Sequence, residues 1–89
     1  MFYVYVLQSR KDKSFYIGYT KDLIKRLKEH QQGKTFTTRK ILPIELVYYE
    51  AYKSETDALK REKQLKIHGK AFGQLKRRIF NSIFVNLER

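Results

Sequence analysis

MFYVYVLQSRKDKSFYIGYT, residues 1–20, contains two short runs rich in aromatic and β-branched residues, Phe2–Leu7 and Phe15–Tyr19, on either side of the polar stretch Gln8–Ser14. Such runs suit a pleated, packed surface, and the polar stretch reads as a hairpin connection of moderate length. Successive side chains of a strand point to opposite faces. Tyr3, Tyr5 and Leu7 therefore share one face, and Phe2, Val4 and Val6 the other. On the second strand Tyr16 lies opposite Phe15, Ile17 and Tyr19, with Gly18 beside it on the bare side. A glycine inside a strand often marks a close approach to the backbone. Two strands thus offer tyrosine hydroxyls next to a gap, either as a functional site or as the rim of a tyrosine-rich core.

The other residues restrict the partner. Eighty-nine residues predict one domain, with its core over about 1–80 and a tail over 81–89. Hydrophobic residues at 42% and aromatics at 15% suit a folded chain. Twenty Lys and Arg against nine Asp and Glu give a formal charge of +11. That density on so small a body implies a polyanionic partner, of which nucleic acid is the commonest. A membrane surface is the weaker alternative, because the cations run from Arg10 to Arg89 instead of lining one amphipathic helix. Without cysteine there is neither a disulfide nor a thiolate metal site. No run is long enough for a signal peptide or a membrane span, so a cytoplasmic domain is expected.

After the hairpin, Asp22 or Thr20 can cap a helix that runs from about Asp22 to Gln32, where Gly33 ends it. Leu23, Ile24 and Leu27 form its apolar stripe. At about 100° per residue His30 falls within roughly 20° of Leu23, with Arg26 at the stripe's edge. Arg26 and His30, four apart, can reach one point on the sheet. Alternatively Arg26 pairs with a carboxylate and His30 is a satisfied core histidine.

KTFTTRKILP, residues 34–43, reads as a loop whose threonines and cations, Thr38, Arg39 and Lys40 among them, suit phosphate contact or plain solvation. Ile44–Tyr52 is the third strand and, as the longest and most apolar, is expected at the centre of the sheet. The second helix runs from Ser54 to about Ile67, with Ser54 and Asp57 resembling a capping box. Ala58, Leu59 and Leu65 form its stripe, and Glu62 projects into the middle of it. A carboxylate there requires a partner: either a metal ion or Arg26 in a buried pair. His68–Gly73 breaks the pattern, and Ala71–Phe80 reads as a last, basic helix. Ile83, Phe84, Val85 and Leu87 in the tail fit a strand, a helical extension or an interface.

Tyr3-Val4-Tyr5, ten intervening residues and Tyr16-Ile17-Gly18 resemble the paired tyrosine signature of the GIY-YIG nuclease superfamily. Arg26 ten residues after Tyr16, His30 a turn later and Glu62 in the second helix match the rest of its pattern, over residues 1 to about 75. The chain is similar to that family's small stand-alone bacterial members and to the N-terminal nuclease domain of a nucleotide-excision DNA repair subunit. It departs from the family pattern at three points: Tyr3 replaces the first signature glycine, Tyr19 replaces a lysine, and a late asparagine has only Gln74 or Asn81 to match it.

The resemblance implies an α/β fold, a small three-stranded antiparallel sheet flanked by helices, and a metal-dependent endonuclease acting on nucleic acid, DNA before RNA. Glu62 would hold a single Mg²⁺ or Mn²⁺ that keeps most of its waters. Arg26 would stabilise phosphoryl charge, and one of Tyr5, Tyr16 and His30 would take the proton from water. Thr20, Thr38, Arg39, Lys40, Lys66 and Lys70 are the expected nucleic-acid contacts. Two other classes remain open: a nucleic-acid-binding module of the same fold that does not cleave, and a protein-interaction domain docking through Ile83–Leu87.

Overall fold

Phe2–Ser9 (β1) and Phe15–Thr20 (β2) pair antiparallel in the computed structural model, which describes residues 1–67 and 69–84. Tyr5 lies opposite Gly18 and Leu7 opposite Tyr16. Polar side chains close the connection: the Ser9 hydroxyl accepts from the amides of Lys11 and Asp12, and the Asp12 carboxylate accepts from Ser14. Ile44–Tyr52 (β3) pairs antiparallel with the other side of β1, so the strand order is β2-β1-β3.

The expectation of a central third strand is therefore corrected: β1 is central and β3 is an edge. A central strand is covered on both faces, and Val4–Ser9 is buried at every position, whereas Glu45, Tyr49 and Ala51 of β3 are exposed. Length and apolar content did not distinguish the two.

One face of the sheet carries the main core. Val4 and Val6 pack there with Ala58 and Leu65 of α2 (Glu55–Ile67) and Leu75 of α3 (Gly69–Arg78), ringed by Phe2, Ile17, Tyr19, Tyr48 and Tyr52. Burying each such aliphatic side chain contributes about 1.5–3 kcal/mol. The opposite face, with Tyr5 and Leu7, is covered from the side of α1 (Leu23–Gln31), whose buried residue is His30. Asp22 caps α1 by accepting from the Lys25 amide, and Gly33, at φ 76°, turns the chain away in the left-handed region that glycine tolerates.

Several stripe assignments are corrected. Ile24 is 70% exposed and Leu59 43% exposed, although both were expected inside. The last helix begins at Gly69 and ends at Arg78, where a break up to Gly73 and a helix over Ala71–Phe80 were expected. Packing of Phe72, Leu75 and Ile79 against the core outweighs the glycine cost of roughly 1 kcal/mol per position. Phe80–Ser82 is a 3₁₀ turn. The Gln8 side chain then clamps the backbone of Phe84, donating to its carbonyl at 2.7 Å and accepting from its amide at 2.8 Å. Of the expected docking stretch Ile83–Leu87, Ile83 and Phe84 are half-buried and the rest lies outside the described residues.

Candidate active site

Tyr5 is buried in the central strand, and its ring lies across the cross-strand glycine. A Cβ at Gly18 would stand 2.4 Å from both the Cζ and the hydroxyl of Tyr5. The gap read from the sequence is thus filled from within, by the tyrosine of the neighbouring strand. The Tyr5 hydroxyl lies 2.9 Å from His30 Nε2, and Arg26 Nε donates to it at 3.4 Å. On the far side of the imidazole, His30 Nδ1 is 2.7 Å from the Thr38 hydroxyl. The Tyr16 ring completes the group, its centroid 5.1 Å from that of His30 and 6.2 Å from that of Tyr5. Tyr5, Tyr16, Arg26 and His30 therefore converge, carried by three elements.

Burial sets the protonation states. It raises the Tyr5 pKa above the usual phenol value; the Arg26 bond works against this, while the neighbouring Tyr16 and Glu62 work with it. Burial likewise lowers the His30 pKa, and the charge of Arg26 adds to the effect, so the imidazole stays neutral. Arg26 is held cationic by its bonds to Tyr5 and to the Glu29 carboxylate, the latter at 3.2 Å.

The neutral imidazole bridges two buried hydroxyls: one ring nitrogen donates and the other accepts, so His30 joins Thr38 and Tyr5 in one hydrogen-bonded chain.

Glu62 follows the residue that ties α2 to the sheet. Arg61 grips the Glu50 carboxylate with Nε at 3.1 Å from both oxygens and a second nitrogen at 3.0 Å, and the hydroxyls of Tyr48 and Tyr52 donate to the same carboxylate. The Glu62 side chain is 20% exposed, and its charge is felt at both Tyr5 and Tyr19. Its partner is Lys66, one turn on, at 3.0 Å. The buried Arg26–Glu62 pair held open by the sequence is not formed, since Arg26 pairs with Glu29 instead. A sequence rule could have found that pairing, because residues three apart on a helix are neighbours.

Among the described residues no group of three or more His, Cys, Asp or Glu could enclose a metal ion. A hard cation that keeps its waters and shares phosphate oxygens needs only one protein carboxylate, so Glu62 fits that kind of ion and not a closed protein cage.

The expected nucleic-acid contacts fall in different places. Thr20 lines an open depression of about 420 Å³ beside Arg26, together with Tyr19, Lys21, Asp22, Lys25 and Glu29. Arg39 and Lys40 are exposed on the loop after α1, and Lys70 is exposed in the first turn of α3. Lys66 is engaged by Glu62. Thr38 is corrected: it has no exposure, and its hydroxyl serves His30 where a phosphate contact was expected. No local pattern marks that role, because the two residues meet only when the loop folds back under α1.

Comparison with known proteins agrees with this geometry. The family model for the GIY-YIG catalytic domain matches residues 1–78. A UPF0213 protein of Staphylococcus saprophyticus is 42% identical over 65 residues, covering 72% of this chain and 78% of its own. A UPF0213 protein of Streptococcus pneumoniae is 45% identical over 65 residues, and this chain spans only 65% of its length. The solution structure of a UPF0213 protein from Bacillus halodurans superposes with a TM-score of 0.54 at 37% identity, covering 84% of this chain and 82% of that one. The names of these relatives state no activity, whereas the family model is that of a nuclease domain. The tyrosine pair, the sheet that holds it and the match over residues 1–78 make this chain a member of the GIY-YIG family.

Proposed function

We propose that this chain is an endonuclease that hydrolyses phosphodiester bonds in nucleic acid, DNA in preference to RNA, with the help of Mg²⁺ or Mn²⁺. The supporting observation is the convergence of His30 Nε2 and Arg26 Nε on one buried tyrosine hydroxyl, at 2.9 and 3.4 Å. A merely structural tyrosine needs one partner, whereas this arrangement fixes a cation at the rim of a depression able to take a phosphate.

The roles follow from exposure. A general base must touch water. His30 has no exposure, so it orients Tyr5 and takes no proton from water. Tyr5, at 1% exposure, is the platform that holds the Arg26 side chain. Tyr16 is half-buried, and as the phenolate it accepts the proton while the water oxygen bonds to phosphorus and the bridging P–O bond breaks, its electron pair leaving on the departing oxygen. Arg26, whose side chain is 36% exposed, meets the charge that gathers on the phosphoryl oxygens. Glu62 would hold a divalent ion, which would supply positive charge to the reaction. Thr20, Arg39, Lys40, Lys66 and Lys70 contact the backbone, as befits a chain of charge +11.

The Glu62–Lys66 pair favours a second reading, a binding module of this fold that does not cleave. The deciding experiment incubates labelled DNA and RNA duplexes, overhangs and branched forms with Mg²⁺, Mn²⁺ or EDTA. The proposal expects cleavage with either ion and none with EDTA. Binding without cleavage under every condition would establish the second reading.

A further inference from the structure

Phe36, 66% exposed, carries the most exposed aromatic ring among the described residues. It is displayed on a fixed turn. The amides of Thr38 and Arg39 both donate to the Thr35 carbonyl, at 3.2 and 3.0 Å, and the Ile41 amide donates to the Thr38 carbonyl at 3.0 Å. The Ser9 hydroxyl ties the turn to β1 through the Ile41 carbonyl at 2.6 Å. Thr38, two residues from the ring, is anchored on His30. Two cations on exposed side chains lie over the ring, the Arg39 guanidinium 4.9 Å and the Lys40 ammonium 5.6 Å from its centroid, and a base stacking there would displace them toward its phosphates. The turn therefore presents a largely exposed aromatic ring and two mobile positive charges over it, on the loop whose Thr38 supports the tyrosine–histidine group.

That combination suits a nucleobase with its adjoining phosphates. Every base has a π face, and stacking on an aromatic side chain is worth about 1–3 kcal/mol per base. A base inside a duplex is already covered on both faces by its neighbours, so the ring selects an unpaired one that can leave the stack. We propose that Phe36, with Arg39 and Lys40, is a stacking subsite for an unpaired nucleobase, and that the substrate class is duplex nucleic acid interrupted by or ending in unpaired nucleotides. This rests on the reading of the chain as a nuclease and adds the structure of its target. The charge of +11 argues for the nucleobase over an apolar peptide, which carries no phosphates to meet the two cations.

The test measures binding in EDTA, so that no cleavage intervenes. Wild type, Phe36→Ala and Phe36→Tyr are each titrated with a blunt duplex and with the same duplex bearing a short single-stranded overhang that contains 2-aminopurine, whose fluorescence reports stacking. Wild type is expected to prefer the overhang and to quench the probe. Phe36→Ala should bind the overhang about tenfold more weakly and lose the quenching, with blunt-duplex affinity unchanged within about twofold, in line with the stacking range. Phe36→Tyr should restore both. Because the ring is exposed, melting temperature should stay level in both variants. Equal wild-type affinity for the two duplexes, or an equal loss on both in Phe36→Ala, overturns the subsite and leaves the nuclease reading intact. No wild-type binding to either duplex at low salt overturns both.

Discussion

Replacing Gly18 by Ala adds one methyl group to an edge strand, and the geometry makes its cost large. The new Cβ stands 2.4 Å from the Cζ and hydroxyl of Tyr5, and ordinary contact begins near 3.4 Å, so the ring or β2 must move by about 1 Å. The ring is 1% exposed and cannot swing into solvent. A shift of that size stretches the 2.9 Å contact with His30 and the 3.4 Å bond from Arg26 beyond hydrogen-bond range. Overpacking costs about 1–3 kcal/mol and the two hydrogen bonds about 1 kcal/mol each at least, for a combined loss of roughly 3–5 kcal/mol. In a domain of this size that lowers the melting temperature by roughly 12–40 °C. Activity should suffer in the protein that remains folded, because a displacement of about 1 Å in a positioning group costs on the order of 10²-fold. Urea denaturation followed by circular dichroism measures the first effect, and single-turnover cleavage below the melting range the second. A Gly18→Ala protein with wild-type stability and rate would refute the packing of Tyr5 over Gly18.

Two further predictions concern the partners of Tyr5. Arg26→Lys keeps the charge and loses the fork that binds Tyr5 and Glu29 together; cleavage should fall by about 10²-fold with the melting temperature nearly unchanged, and unfolding of the variant would show that Arg26 serves the fold. His30 titrates below its unfolded value of 6.5, so the unfolded chain binds more protons between the folded pKa and 6.5. Stability is then complete above about pH 6.5 and is lost as pH falls through the folded value. Denaturation midpoints across that window should drop toward acid in wild type and less so in His30→Gln; identical slopes in both would assign the effect to other groups.

The two tyrosine strands and the helix carrying Arg26 and His30 were legible because each depends on local spacing: period two in residues 2–7 and a four-residue step from 26 to 30. The position of β3 was not legible, because centrality depends on what covers both faces of a strand and its own composition does not record that. Ile24 and Leu59 misled for a related reason. Each sits at a helical spacing that would be buried in a larger domain, and this sheet is too narrow to cover them. The structural role of Thr38 and the link from Arg61 to Glu50 arise from contacts distant in sequence. The pairing of Glu62 with Lys66, by contrast, follows from their four-residue spacing on one helix.

The central claim is that Glu62 holds a divalent ion needed for cleavage, and Glu62→Gln tests it most directly. The substitution keeps the size of the side chain and removes the charge. The pair it breaks, with a Lys66 side chain that is 47% exposed, is worth about 0–1 kcal/mol, so the fold should persist. Cleavage of a labelled overhang duplex is measured for wild type and variant with Mn²⁺, alongside binding in EDTA and thermal melts with and without the ion. The account predicts that the variant binds as well as wild type or better, melts within a few degrees of it and does not cleave. A Glu62→Gln protein that cuts at the wild-type rate in Mn²⁺, or a wild type that cuts equally well in EDTA, would contradict it.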